Sequence, residues 1–134
     1  MTMMQQKGFV VHDLTVRYKG GTASSAALDH VSSILPAGGV TAIIGESGSG
    51  KSTLGQALFG ALPADAETAG RVFYDGVDVT ALGSRELCTR YWGKRWGIVP
   101  QLPRAALSPV HRIARQMADV RRGAGRSAWT AAQY

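Results

Sequence analysis

Residues 45–53 read GESGSGKST, and this nonapeptide restricts the possible folds more than any other feature of the chain. It fits the pattern of Gly, four residues, Gly, Lys and Ser/Thr, which is typical of a phosphate-binding loop, or P-loop. The apolar run 40–44 precedes it, and a segment with helical spacing follows. The pattern therefore predicts a strand, a loop and a helix in that order, whereas a merely flexible Gly/Ser-rich loop would not require these flanks.

Each part of this loop has an expected role in binding a nucleoside triphosphate. Lys51 is expected to reach the β- and γ-phosphates, and the Ser52 hydroxyl is expected to ligate Mg²⁺. The helix that begins near Lys51 would direct the positive end of its dipole at the same anion. The predicted site comprises Gly45, Glu46, Ser47, Gly48, Ser49, Gly50, Lys51, Ser52 and Thr53.

Composition restricts the class of protein. No stretch approaches the roughly 20 apolar residues of a membrane span, and the first residues carry no apolar signal core. The single cysteine, Cys88, excludes an internal disulfide and is typical of a reducing compartment. We therefore expect a globular protein of one domain at most, located in the cytoplasm.

The positive charge of the chain is concentrated in its second half. Residues 85–126 contain ten Lys/Arg against two acidic residues, and they account for the whole net charge of +6. These basic residues are spread over some forty positions without an aromatic-interleaved cluster, and no nucleic-acid-binding module is recognisable. We therefore expect a solvated or partner-facing surface and no nucleic acid partner.

Periodicity and turn residues predict a mixed α/β chain. A tail from residue 123 onward has weak periodicity, and we expect it to be poorly ordered. Leu54, Leu58 and Leu62 predict a helix that Pro63 ends, and 40–44 is expected to be a strand buried on both faces of a parallel sheet. The other predicted elements are strands at 9–18, 28–35 and 96–99, a hairpin at 70–80 turning at Asp75-Gly76, and helices at 84–91 and 110–121.

Two residues outside the loop are candidates for the same site. Tyr18 ends the first predicted strand, and its ring could stack on a purine or simply lie half-buried against the sheet. Gln101 follows the predicted strand 96–99, and its amide oxygen could contact Mg²⁺ or the attacking water, although many loops begin with glutamine.

Taken together, these features resemble the ATP-binding subunit of an ABC transporter over roughly residues 8–120. Tyr18 matches the adenine-stacking aromatic of that family, 45–53 its Walker A loop, and Gln101 its Q-loop glutamine. The resemblance implies ATP and Mg²⁺ as cofactors, with Ser52 and Gln101 as metal ligands. It also implies a second ATP-binding subunit as a dimer partner.

The stretch after Gln101 is similar to the peptide and nickel importer branch, because Leu107-Ser108-Pro109 matches its Leu-(Asn/Asp/Ser)-Pro element. The branch implies import of a small solute such as a peptide or nickel. In the family this region docks on transmembrane permease subunits. The basic residues Arg104, Arg112 and Arg115 would then face a protein partner at the inner face of the plasma membrane.

Three motifs of the family do not occur in this sequence: the LSGGQ signature, the Walker B aspartate with its adjacent glutamate, and the switch histidine. We therefore expect a P-loop NTPase-like core with an N-terminal antiparallel β subdomain, truncated before the later parallel strands. Residues 1–122 would form the N-terminal part of an ABC-type nucleotide-binding domain, and 123–134 the tail. Such a chain is expected to bind ATP or ADP weakly and to lack useful hydrolysis, because phosphoryl transfer needs a positioned nucleophile.

Two alternatives belong to other classes. A stand-alone P-loop kinase would need a general base and a lid, and it would leave Tyr18 and the hairpin unexplained. A basic nucleic-acid-binding protein would show affinity that falls steeply with salt.

Overall fold

The computed structural model describes residues 7–19 and 26–123. The chain divides into two compact units, one up to Gly83 and one from Ser84 onward. None of the helices in the described ranges has the length and apolar character needed to cross a membrane. The predicted tail at 123–134 lies outside the described residues except for Gly123, so its order stays a prediction, as does the domain boundary at residue 122.

The first unit is built on a four-stranded antiparallel sheet in the order β2-β1-β3-β4. Its strands are β1 (Gly8–Tyr18), β2 (Leu28–Pro36), β3 (Ala66–Tyr74) and β4 (Val77–Asp78). The pairing of β1 with β2 runs from Gly8↔Pro36 to Val16↔Leu28, and its pairing with β3 runs from Phe9↔Tyr74 to Tyr18↔Ala66. The predicted antiparallel subdomain is therefore present, with β1 in the centre.

A bulge interrupts both pairings of β1. The register shifts between Val11 and Leu14, and Asp13 and His30 adopt positive φ angles of 52° and 49°. Asp and His tolerate this left-handed region better than most residues, and bulges increase the local twist of a sheet. On the other neighbouring strand, Gly70 leaves room for Asp13, whose carbonyl oxygen would lie 2.2 Å from an added Cβ.

The hairpin predicted at 70–80 is confirmed, although β3 begins earlier than expected, at Ala66. Asp75 and Gly76 both have positive φ angles, 48° and 82°, as a two-residue type I′ turn requires. The Asp75 carboxylate accepts a hydrogen bond of 2.8 Å from the Gly8 backbone N–H. This carboxylate therefore fixes the hairpin against the start of β1.

Helix α1 (Lys51–Leu58) packs on the sheet and follows the P-loop as predicted, but it ends before Pro63. Gly60 has a φ of 61°, its N–H donates to the Ala57 carbonyl, and the Ala61 N–H donates to the Gln56 carbonyl. These two bonds form a Schellman motif, which ends the helix at Leu58 and leaves Leu62 outside it. The core of this unit consists of Val10, Val11, Leu14, Val16, Leu28, Leu54, Ala57, Leu58, Val72 and Val79.

The described part of the second unit, up to Gly123, contains three helices: α2 (Ser84–Arg90), α3 (Pro103–Ala106) and α4 (Ile113–Gly123). Helix α2 was predicted, α3 was not, and α4 begins three residues later than expected. The buried side chains of the second unit include Leu87, Tyr91 and Trp96. The rings of Tyr91 and Trp96 stack with centroids 4.5 Å apart. The ring stack closes the turn that follows α2.

Two of the predicted strands are wrong. Residues 40–44 are irregular, and Val40 and Ile44 are 100% and 93% exposed. In the predicted strand 96–99, Trp96 forms only an isolated bridge with Trp92. Residues 97–99 are irregular, and Val99 is 86% exposed. A strand forms only where a neighbouring strand pairs with its backbone groups, and no parallel strand accompanies either segment within the described ranges.

Candidate functional site

The Lys51 side chain lies inside the loop that precedes α1. Its ammonium nitrogen donates to the Gly45 carbonyl at 2.8 Å, to the Glu46 carbonyl, and to the Ser49 hydroxyl at 3.2 Å. The loop therefore curls around one cationic group. An anion that approaches this group can exchange with the carbonyl oxygens because all three contacts are exposed.

The helix start beside Lys51 is available to the same anion. Gly50 is the N-cap of α1, no side chain caps the helix, and its first turn contains no acidic residue. The first N–H groups of a helix have no intrahelical partner, so this end offers donors and a positive dipole end to a phosphate. A small cavity of about 160 Å³ opens here, lined by Gly48, Ser49, Gly50, Lys51, Ser52, Thr53 and Ala27.

Gly50 also joins the loop to the sheet. Its φ is 85°, and a Cβ at this position would lie 2.3 Å from the Ala27 carbonyl oxygen and 2.9 Å from Leu28. Ala27 is itself held to β1, because its N–H donates to the Val16 carbonyl at 2.8 Å. The close approach requires glycine and sets the start of α1 directly against the start of β2.

Tyr18 ends β1 and is half-buried, so the sequence placed it correctly at the strand end. Its hydroxyl donates a hydrogen bond to the Thr53 hydroxyl oxygen at 3.3 Å. Thr53 lies in the first turn of α1 and is the one polar residue among the buried side chains of the described chain. The structure therefore brings Tyr18 next to the P-loop helix, a contact that sequence spacing alone did not reveal.

Ser52 and Gln101 were predicted to share Mg²⁺. Ser52 is exposed at the start of α1, adjacent to Lys51, which suits a ligand of a phosphate-bound cation. Gln101 is exposed in a bend of the second unit, so a shared metal site stays a prediction. Across the described ranges, no cluster of three His, Cys, Asp or Glu side chains could hold a metal ion.

The second unit presents an apolar and basic surface, which we define as Leu107–His111 together with α4. Ile113, Met117 and Val120 follow one another at helical spacing along α4, and each is at least 63% exposed. Arg112, which precedes α4, and Arg115 within it are exposed as well. An exposed apolar stripe on a helix is typical of a protein contact surface.

One glutamine holds the loop part of this surface in place. The Gln116 side chain accepts a hydrogen bond from the Ser108 N–H at 2.8 Å and donates to the carbonyls of Ser108 and His111 at 3.0 and 2.8 Å. Sequence reasoning missed this residue, since nothing in the Leu107-Ser108-Pro109 element indicates a partner eight positions later. These bonds also account for the late start of α4, because 108–111 form a fixed loop instead of a helical turn.

Comparison with known proteins adds the decisive observation. Residues 28–133 match the family model described as ABC transporter, and this matched range includes both the P-loop and Gln101. The chain belongs to the ABC transporter family. The P-loop NTPase fold expected from the sequence follows from this membership, and a kinase-like or nucleic-acid-binding identity loses its basis.

The relatives of this ABC family chain are named as transport ATP-binding proteins. It is 38% identical over 112 residues to the peptidoglycan transport ATP-binding protein YejF of Agrobacterium fabrum, covering 82% of this chain and 20% of that protein. It is 36% identical over 109 residues to the oligopeptide transport ATP-binding protein OppD of Mycobacterium bovis, covering 81% of this chain and 18% of that protein. The chain thus spans about a fifth of the length of these relatives.

Proposed function

We propose that this chain binds MgATP as part of the ATP-binding subunit of an ABC importer for peptides. The observation that carries the proposal is the Lys51 ammonium group, held within a curled loop at the uncapped start of α1. A triphosphate placed there meets one fixed cation, the free helix N–H groups and the exposed Ser52 hydroxyl. Peptide as the substrate class is supported by the oligopeptide transport name of OppD.

The residues of the site have distinct roles in this proposal. Lys51 pairs with the β- and γ-phosphates, while residues 45–53 supply backbone donors to the phosphate chain. Ser52 and Gln101 would be the ligands of Mg²⁺, which would neutralise part of the phosphate charge. The ring of Tyr18 stacks on adenine, for which its half-buried position at the end of β1 leaves part of its surface accessible.

The apolar and basic surface of the second unit supports a role for membrane partners. The stripe of three exposed apolar residues on α4, together with the exposed arginines of the same segment, fits a permease loop with complementary apolar and acidic groups. We accordingly propose that transmembrane permease subunits dock at Leu107–His111 and α4, and that a second ATP-binding subunit completes the dimer. The chain would then lie peripherally on the inner face of the plasma membrane.

The binding proposal is tested by replacing the cation. Lys51→Ala should weaken binding of MgATP by tenfold or more, because a charge-assisted hydrogen bond to phosphate contributes about 1.5–3 kcal/mol. Lys94→Ala removes the same charge from an exposed position in the second unit and should leave affinity within twofold. Equilibrium titration with a fluorescent ATP analogue measures both. Equal affinity of Lys51→Ala and the parent chain would contradict the proposal.

A further inference from the structure

Helix α1 is tied to β1 at both of its ends. Near its start, the Thr53 hydroxyl accepts the hydrogen bond from Tyr18, the last residue of β1. Just beyond its end, Phe59 packs edge-on against Phe9, near the beginning of β1, with ring centroids 5.5 Å apart. The helix therefore runs antiparallel along the strand, and its first turn lies beside the strand end that carries Tyr18.

A third contact fixes the loop residue before the helix. Gly50 lies against the carbonyl of Ala27, and Ala27 is hydrogen-bonded to Val16 on β1. The P-loop and the end of β1 are thus connected both through backbone contacts at Gly50 and through side chains at Thr53. The first connection sets the position of the loop, but only the second reaches the Tyr18 ring.

We propose that Thr53 is a positioning residue that fixes the Tyr18 ring at a set distance from the phosphate loop. This inference rests on the proposed ATP site and concerns the part of that site that would contact adenine. Thr53 is buried, so its hydroxyl is held by the packing of α1, and it restricts a ring that otherwise rotates about two side-chain bonds. A ring placed in advance loses less conformational entropy when a base stacks on it.

Because the hydrogen bond acts on the ring alone, its removal should affect ligands with a base more than ligands without one. ATP contains adenine and three phosphates, whereas inorganic tripolyphosphate contains the phosphates only. The ratio of the two affinities therefore reports on the base end, and a change of overall fold or of the phosphate loop would lower both affinities together. This ratio separates positioning from a structural role of either residue.

The experiment measures both ligands by calorimetric titration, with Mg²⁺ present, on the full chain. In Tyr18→Phe and in Thr53→Val the ratio of ATP to tripolyphosphate affinity should fall about threefold to tenfold, as expected for one lost hydrogen bond. Thr53→Ser, which keeps the hydroxyl, should restore the ratio. The double variant should fall no further than either single one, since both remove the same bond. Tyr74→Phe and Thr68→Val are the matched controls on β3, and their ratios should equal that of the parent.

Two results would overturn the inference. An unchanged ratio in Tyr18→Phe would show that the hydroxyl does not position the ring, and this variant decides the matter even where Thr53→Val fails to fold. Equal losses for both ligands in Thr53→Val, with no effect of Tyr18→Phe, would assign Thr53 to the phosphates instead. Failure of the proposed function gives another result: Lys51→Ala would then bind both ligands as well as the parent does.

Discussion

At the residue scale, Gly50 of the P-loop and Gly55 of α1 differ in what they contribute. Gly50 has a left-handed φ of 85° and would place a Cβ 2.3 Å from the Ala27 carbonyl oxygen. Gly55 lies within α1, and a Cβ there would meet no atom within 4 Å. The first glycine is therefore required by the backbone, whereas the second only costs helix stability.

This contrast gives a stability prediction. Gly50→Ala should destabilise the chain by at least about 1–2 kcal/mol, the cost of left-handed backbone in an alanine, with the steric clash in addition. Gly55→Ala should stabilise it by roughly 0.5–1 kcal/mol, because alanine favours a helix interior. Urea unfolding followed by circular dichroism measures both. A stabilising Gly50→Ala would contradict the geometry of the loop.

His30 and Asp13 pair across the bulge of β1 and β2. The His30 Nδ1 and the Asp13 carboxylate are 2.7 Å apart, while the other ring nitrogen lies 3.9 Å from Asp29. The hydrogen bond and charge of Asp13, with a smaller effect of Asp29, raise the pKa of His30 above 6.5, and Arg17 opposes this shift. A raised pKa in the folded state means that the pair stabilises the fold fully below pH 6.5. This contribution is lost as the pH rises through the higher folded pKa.

We expect Asp13→Asn to lower the pKa of His30 toward its ordinary value, because the principal charge and hydrogen-bond acceptor is removed. Asparagine also tolerates the left-handed φ of this position, so the bulge should persist. Asp29→Asn is the matched control and should lower the pKa less. Proton NMR titration of the imidazole ring measures both, and a larger effect of Asp29→Asn would refute the assignment.

At the scale of elements, local signals predicted the sheet of the first unit well. Asp75-Gly76 gave the hairpin because few dipeptides adopt two left-handed residues in succession. The alternation of Val11, Leu14 and Val16 predicted β1, although the bulge at Asp13 breaks that alternation and could not be foreseen. Gly60 ended α1 before Pro63 through a Schellman motif, a local glycine signal that the spacing of Leu54, Leu58 and Leu62 outweighed in the prediction.

The Gln116 contacts give a prediction for the second unit. Gln116→Met keeps the size of the side chain and removes the hydrogen bonds to Ser108 and His111. The Ser108 amide should then exchange with solvent on the order of tenfold faster or more, because two or more bonds of about 1 kcal/mol each are lost. Hydrogen exchange by NMR measures this rate. Gln56→Met, on the exposed side of α1, is the control. Equal exchange rates of the Ser108 amide in the parent and both variants would contradict the role of Gln116 in holding this loop.

At the scale of the whole molecule, the sequence predicted the family and the helix after residues 45–53 more accurately than the strands expected on either side. The P-loop is encoded within nine consecutive residues, so its geometry follows from local rules. The strands expected at 40–44 and 96–99 depend on parallel neighbours, which are non-local contacts. Residues 40–44 and 97–99 are exposed here, and the chain spans about a fifth of the length of its relatives.

The relation of Tyr18 to the loop shows the same limit. The sequence placed Tyr18 at a strand end 27 residues before Gly45, but spacing alone left stacking and burial equally open. The contact with Thr53 depends on how α1 lies along β1, which the packing of Phe9 on Phe59 and of Leu54, Ala57 and Leu58 decides. Such packing arises from the tertiary fold.

The central claim is that the loop around Lys51 binds ATP, and amide chemical-shift mapping tests it most directly. On titration of the ¹⁵N-labelled chain with MgATP, the largest shifts should fall on the amides of 48–53, with the Tyr18 ring protons moving in the same concentration range. Lys51→Ala should abolish both at the same ATP concentration. Shifts confined to the basic residues of α4, or none at all, would contradict the account.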